Sequence, residues 1–221
     1  MYSIDPKEVY RYLGFRGAEP DSVLAGEVSA CIEEIGAAAD RRYAKVRVPA
    51  AVCSDAEHCL MLGGMRVISR NLFYHLKGCR ECVLFAATVG IGVDRLIRRA
   101  EIGRMSKAAI LQAAGAAAVE AWCDQINDGI SEEAAKEGLV TVPRFSPGYG
   151  DFSLSHQAEF LRITDPQRKT GISLTEGFLM IPSKSVTAVV GLKPAAAGAV
   201  MEKSGCAACG MTGCMARQVD R

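Results

Sequence analysis

The sequence predicts an α+β fold: a single domain of mixed helices and antiparallel strands. Three observations carry this reading. Helical periodicity and short strands are intermixed through the first part of the chain, whereas the later part turns to strands punctuated by Pro143, Pro147, Gly148 and Gly150, an order that does not fit a regular doubly wound sheet. The 221 residues suit one domain with a sizeable core. The composition is 49% hydrophobic, 23% charged and only 6% aromatic, which calls for a compact core of aliphatics and alanines.

The elements follow in order. Asp5 and Pro6 open a short helix, one as cap and the other at the first helical position, and Gly14 closes it. Asp21 begins a second helix that runs to about Asp40. Tyr43 to Val48 alternates sides as a strand does, and Pro49 is expected to end it. A helix is expected from about Gly64 to Leu76. Glu81 to Ala87 is a nearly continuous apolar run, as in a strand buried on both faces. After Thr88 to Asp94 come a basic helix to about Glu101 and a long alanine-rich helix from near Ser106 to about Asp128, with a further helical stretch over Ser131 to Glu137. Ser155 to Ile163 reads as a helix, and Gly177 to Ile181 and Ser185 to Leu192 as strands. The domain spans 1–192. An Ala/Gly-rich spacer, Pro194 to Val200, and a Cys-rich tail occupy 193–221.

Charge and composition exclude several function classes. Twenty-six basic and twenty-five acidic residues leave a net charge of +1, so the chain has no global attraction to nucleic acid or to a membrane surface. No window holds the roughly 20 apolar residues of a spanning helix, and Met1 to Phe15 lacks the pattern of a signal peptide, so the expected location is the cytoplasm. Nine cysteines, two sets of them at Cys-x-x-Cys spacing, read as reduced thiols or metal ligands rather than a disulfide framework.

Three motifs bear on chemistry. Gly90-Ile91-Gly92 follows a strand, but Arg95 stands where a dinucleotide fingerprint has its third glycine, so a tight strand-to-helix turn is the simpler reading. Asp94 suits the start of the helix that follows. Arg144-Phe145-Ser146-Pro147-Gly148-Tyr149-Gly150-Asp151 joins a cation, a rigid turn, two glycines and an aromatic ring. Such a segment can hold a small zwitterion, because arginine makes a two-pronged bond to a carboxylate and glycine lets backbone approach a ligand. An ordinary proline turn with Arg144 paired to an acid fits the same spacing.

Leu84 to Asp94, the turn Arg144 to Tyr149 and the segment Leu174 to Val186 resemble, in that order, three landmarks of the activation domain of cobalamin-dependent methionine synthase. The resemblance covers about residues 80–192. It implies a reactivation role, in which S-adenosylmethionine methylates cobalamin reductively after the cobalt has been oxidised to Co(II). It further implies that Arg144 binds the donor's carboxylate, that backbone at Pro147, Gly148 and Tyr149 contacts the remainder, and that Asp5 matches an acidic ligand residue, although a helix cap also accounts for Asp5. Glu137 corresponds only approximately to another acidic contact of the family. The chain lacks the Asp-x-His-x-x-Gly pattern of cobalamin-binding domains, so a partner, a corrinoid-binding methionine synthase or a related corrinoid protein, must supply the cobalamin, and an electron donor protein the electron.

Beyond the resemblance, Cys206, Cys209 and Cys214 lie among small residues that let a chain wrap around zinc or an iron–sulfur cluster. The alternatives are a tail of ordinary thiols, or an electron-transfer adaptor that docks on a corrinoid protein without binding S-adenosylmethionine. Cys79 and Cys82, at the mouth of the buried strand, read as small core residues. A ligand set of Cys53, His58 and Cys59 is conceivable, but a surface loop is the more economical account. No chemistry is assigned to His58, His75 or His156.

Overall fold

The computed structural model describes residues 3–15 and 20–195. Its centre is a six-stranded antiparallel sheet in the order β3-β2-β1-β4-β8-β5. The strands are β1 (Arg42–Val52), β2 (Cys59–Leu62), β3 (Met65–Ile68), β4 (Glu81–Thr88), β5 (Leu139–Thr141) and β8 (Ser185–Pro194). A two-stranded ribbon, β6 (Ser173–Leu174) with β7 (Met180–Ile181), stands apart from it. The helices are α1 (Pro6–Tyr12), α2 (Ser22–Ala38), α3 (Arg70–His75), α4 (Ile91–Gly103), α5 (Met105–Lys136), α6 (Gln157–Thr164) and α7 (Gln167–Thr170).

β4 is the spine, paired along its length with β1 on one side and β8 on the other. Because successive strand residues point to opposite faces, its unbroken apolar run feeds two cores. Val83, Phe85 and Ala87 face a helical layer with Val28, Ile35, Val93, Ile97, Leu111 and the alanines of α5. Cys82 and Leu84 face the other core, with Leu62, Met65, Leu72, Phe152 and Phe160. Buried Ala113, Ala114, Ala117 and Ala118 let α5 approach its neighbours closely.

α5 is longer than the sequence suggests. The two expected stretches form one helix of 32 residues, about 48 Å long. Its buried stripe continues through Cys123, Ile126, Ile130 and Ala134 across Gly129, and an interior glycine costs only about 1 kcal/mol against alanine. A ladder of contacts ties it to β1: Tyr43 meets Trp122 edge to face at 5.7 Å, Lys45 bonds Glu133 at 2.6 Å and Arg47 bonds Glu137 at 2.7 Å.

The first part of the helix expected from about Gly64 to Leu76 is replaced by strand. Gly63 and Gly64 both take positive φ, +57° and +94°, and turn Cys59–Leu62 back onto Met65–Ile68 as a two-residue hairpin. Only the last turns, Arg70–His75, are helical, capped by Ser69 through the Leu72 amide. β1 also runs past Pro49, which pairs with Glu81, and its last residues, 50–52, pair with β2. Gly177 to Ile181 is mostly turn: Phe178 takes φ +61°, and only Met180–Ile181 is strand. The helix expected at 155–163 is present as a 3-10 turn, Leu154–His156, running into α6. Among the described residues no helix is long and apolar enough to cross a membrane.

Candidate functional site

Arg144 lies three residues beyond β5, beside Phe145, whose backbone bridges to Val189 of β8. That bridge aims the Arg144 side chain at α5. There Nη1 donates to Asp124 Oδ1 at 2.7 Å and Nη2 to Glu120 Oε2 at 2.5 Å. The guanidinium side chain is only 18% exposed, against 26% for Glu120 and 40% for Asp124. Burial by itself would lower the arginine pKa, but the charges of Glu120 and Asp124 outweigh it and raise the value. At the end of α1, burial and then the nearby negative charge of Glu120 raise the Tyr12 phenol, and the Arg11 guanidinium stacks 4.3 Å over the Tyr12 ring.

The turn after Arg144 is fixed from both ends by α3. His75 Nε2 meets the Pro143 carbonyl at 2.6 Å, and burial lowers the imidazole pKa although that bond opposes the shift. Asp151 accepts from Ser69 Oγ at 2.5 Å, from the Arg70 amide at 2.8 Å and from the Asn71 amide at 3.1 Å, which makes it a second cap for α3. Burial would raise the Asp151 carboxyl, and these bonds hold it below its usual value. Within the turn, the Gly148 amide donates to the Phe152 carbonyl at 2.7 Å and the Tyr149 amide to the Ser146 carbonyl at 3.0 Å. Gly148 has φ +95°, and the Tyr149 ring, 45% exposed, meets Phe145 edge-on at 5.9 Å.

The other two motifs meet at the far end of β4. The Val89 amide donates to the Lys184 carbonyl, Ser185 Oγ to Thr88 Oγ1, and Asp94 accepts from both the amide and the hydroxyl of Ser183 at 2.8 and 2.7 Å. The Lys184 stem lies over Gly115 of α5, where a Cβ would come within 3.2 Å of Cε. Burial lowers the Lys184 pKa, with Asp94 opposing. Gly90 and Gly92 serve packing: a Cβ at Gly90 would stand 3.0 Å from the Asp40 carbonyl oxygen, and one at Gly92 would collide with that of Ala38. Chain thus fills the space beside both glycines, and the strand-to-helix turn is the reading the geometry favours.

The remaining sequence candidates are dispersed. Asp5 caps α1 through the Lys7 amide at 2.9 Å. Glu137 belongs to the ladder on β1, where hydrogen bonding to Arg47 lowers its pKa. Cys82 is fully buried, and burial pushes its thiol up to about 12. Cys79 lies against Gly191 in the same core. Cys206, Cys209 and Cys214 lie outside the described residues. A cavity of about 410 Å³ sits between α2, α4 and α5, lined by Glu34, Leu96, Arg99, Arg104 and Lys107. Glu120 is thirteen residues further along α5 than Lys107, roughly 20 Å at the helical rise.

Sequence reasoning singled out Arg144 and its turn but not the neighbours the fold gives the arginine, Glu120 and Asp124, nor Tyr12 close to Glu120. One signal was available: Glu120 and Asp124 stand at i,i+4 where the alanine run of α5 ends, so they share one helix face.

No family model matches the chain, and no curated protein matches it. Among solved structures, the crystal structure of the MetH reactivation domain bound to AdoHcy superposes with a TM-score of 0.60 at 16% identity, covering 86% of this chain and 76% of that one. The chain has the fold of the MetH reactivation domain, as the order of its three motifs implied.

Proposed function

We propose that this chain is a reactivation partner of a cobalamin-dependent methionine synthase or related corrinoid protein, and that it holds S-adenosylmethionine for reductive methylation of oxidised cobalamin. The ion cluster on α5 carries the reading. One guanidinium between two carboxylates is complementary to an amino acid: Arg144 uses one N–H on each terminal nitrogen and keeps its others for a carboxylate, while Glu120 and Asp124 accept from an ammonium. The Pro147-Gly148-Tyr149 turn, which follows Arg144 in the chain and is held by His75 and Asp151, would offer carbonyls and an aromatic ring, and Asp5 at the start of α1 is the remaining acidic candidate. When bound, the sulfonium supplies a methyl group to cobalt that an electron donor protein has reduced, and S-adenosylhomocysteine remains. The shared fold supports the reading, since its solved relative was crystallised with AdoHcy.

Calorimetric titration with S-adenosylmethionine tests it. Saturable binding is expected, weakened about 10- to 150-fold by Arg144→Ala, the equivalent of about 1.5–3 kcal/mol for a charge-assisted bond. Arg144→Lys should also bind more weakly, because a point charge does not reproduce the planar fork. Unchanged affinity in both variants, with the fold intact, removes Arg144 from the site.

A second reading has its own support: Arg144 is already paired, and the Gly148 and Tyr149 amides are bonded within their own turn. In that reading the chain is an electron-transfer adaptor docking on a corrinoid protein, with zinc or an iron–sulfur cluster on Cys206, Cys209 and Cys214. Capture of a corrinoid protein without any S-adenosylmethionine binding would favour it. Loss of iron, or of one equivalent of zinc, from the triple serine variant with the domain still folded would assign those ligands.

A further inference from the structure

We infer that the β1–β2 hairpin carries a zinc site formed by Cys53, Asp55 and Cys59. The register that pairs Val52 with Leu60 continues by one residue to set Cys53 opposite Cys59, and the Cys53 amide donates to the Cys59 carbonyl at 3.0 Å. Cross-strand partners project to the same face, so both thiols stand on one side of the hairpin. The intervening loop folds Asp55 back over them, and the two sulfurs and a carboxylate oxygen all lie within 4.8 Å of one another. Around a tetrahedral zinc with Zn–S bonds of about 2.3 Å, two sulfurs stand about 3.8 Å apart, so closure needs a movement of no more than about 1 Å.

The surroundings suit the ion. Cys59 is fully buried at the base, Cys53 is half-buried and Asp55 exposed, which leaves the fourth position open to water. Two thiolates and a carboxylate exceed the ion's charge by one, and Arg66 of β3, bonded to Asp55 at 3.1 Å, supplies the balancing cation and holds the carboxylate in place. The loop is pinned beyond the site as well, where the Ser69 amide donates to the His58 carbonyl at 3.1 Å. His58 is not a ligand: its ring packs edge to face on Phe73 at 5.4 Å and reaches the Tyr74 hydroxyl. The soft sulfur pair favours zinc over magnesium or calcium.

The site uses none of the tail cysteines and none of the residues proposed to hold S-adenosylmethionine. It is therefore tested in full-length protein carrying Cys206→Ser, Cys209→Ser and Cys214→Ser, purified with reductant, stripped by chelator and titrated with zinc against a chromogenic competitor. One equivalent should bind. Cobalt in its place should give a thiolate charge-transfer band and the intense visible absorption of a tetrahedral ion. Adding Cys53→Ser and Cys59→Ser should abolish both signals. Because Cys59 is buried and that variant could unfold, Asp55→Asn serves as the second probe and should weaken zinc at least tenfold while keeping the thiolate band. Absence of binding in the tail variant, a band that survives loss of both hairpin cysteines, or unchanged affinity in Asp55→Asn overturns the assignment.

Discussion

Arg144 joins Glu120 and Asp124 of α5 in a partly buried ion cluster. Replacing it with alanine leaves Glu120 and Asp124 one helical turn apart without their cation. Unfolding in urea should show a loss of about 1–3 kcal/mol, below the value for a fully buried pair because Asp124 is 40% exposed. Adding Glu120→Gln should recover part of the loss, and no recovery would mean that the acids do not matter to stability. His75 gives a pH signature to the same region. Its pKa is lowered in the fold from 6.5, so the unfolded chain takes up the proton first as pH falls. Its contribution is present above about pH 6.5 and is lost on acidification through the lowered folded value. His75→Gln should flatten the decline in stability between pH 7.5 and 5.5, measured by urea midpoints. At this scale the sequence was half legible. The turn after Arg144 is marked by its proline and glycines, but the partners of the arginine stand twenty and twenty-four residues earlier, and only the fold joins them.

Elements were most legible where one face dominates. The continuous apolar run of β4 and the capped start of α2 appear as read, because burial on both sides and a capping side chain are local signals. The β2–β3 hairpin was missed because Leu60 to Val67 is apolar enough for a helical face, while the Gly63-Gly64 pair that settles the matter is only two residues long. Glycines in helices separate into two kinds with opposite consequences. Gly92→Ala drives a Cβ into the Ala38 carbonyl and should cost about 2–3 kcal/mol by displacing α2 from the start of α4. Gly129→Ala meets nothing within 4 Å inside a long helix and should stabilise by up to about 1 kcal/mol. Paired denaturation curves check both, and a neutral Gly92→Ala would show that the α2–α4 junction yields.

For the molecule as a whole, β4 couples the two cores, since its alternate side chains belong to each. The layers should therefore unfold together. Fluorescence of Trp122, the only tryptophan, reports the ladder between α5 and β1, and its transition should coincide with loss of helix and sheet by circular dichroism. Separate midpoints would mean that the hairpin side melts independently. The α+β class was legible from element order alone, whereas the sheet order was not, because antiparallel pairing of β4 with β8 spans about a hundred residues and leaves no local trace.

The margins of the sheet carry a last consequence. Its outermost strands, β3 and β5, are four and three residues long, and α6 and α7 lie against β1, where residues 42–49 have β4 as their strand neighbour. Lys45, Arg47 and Pro49 interrupt that stretch with charge and with a residue that has no amide hydrogen to donate. Backbone left open in this way is a poor template for a foreign strand. The fold thus guards itself against runaway stacking of one copy on the next, and whatever protein it meets must be recognised through side chains and surface shape rather than by lengthening the sheet.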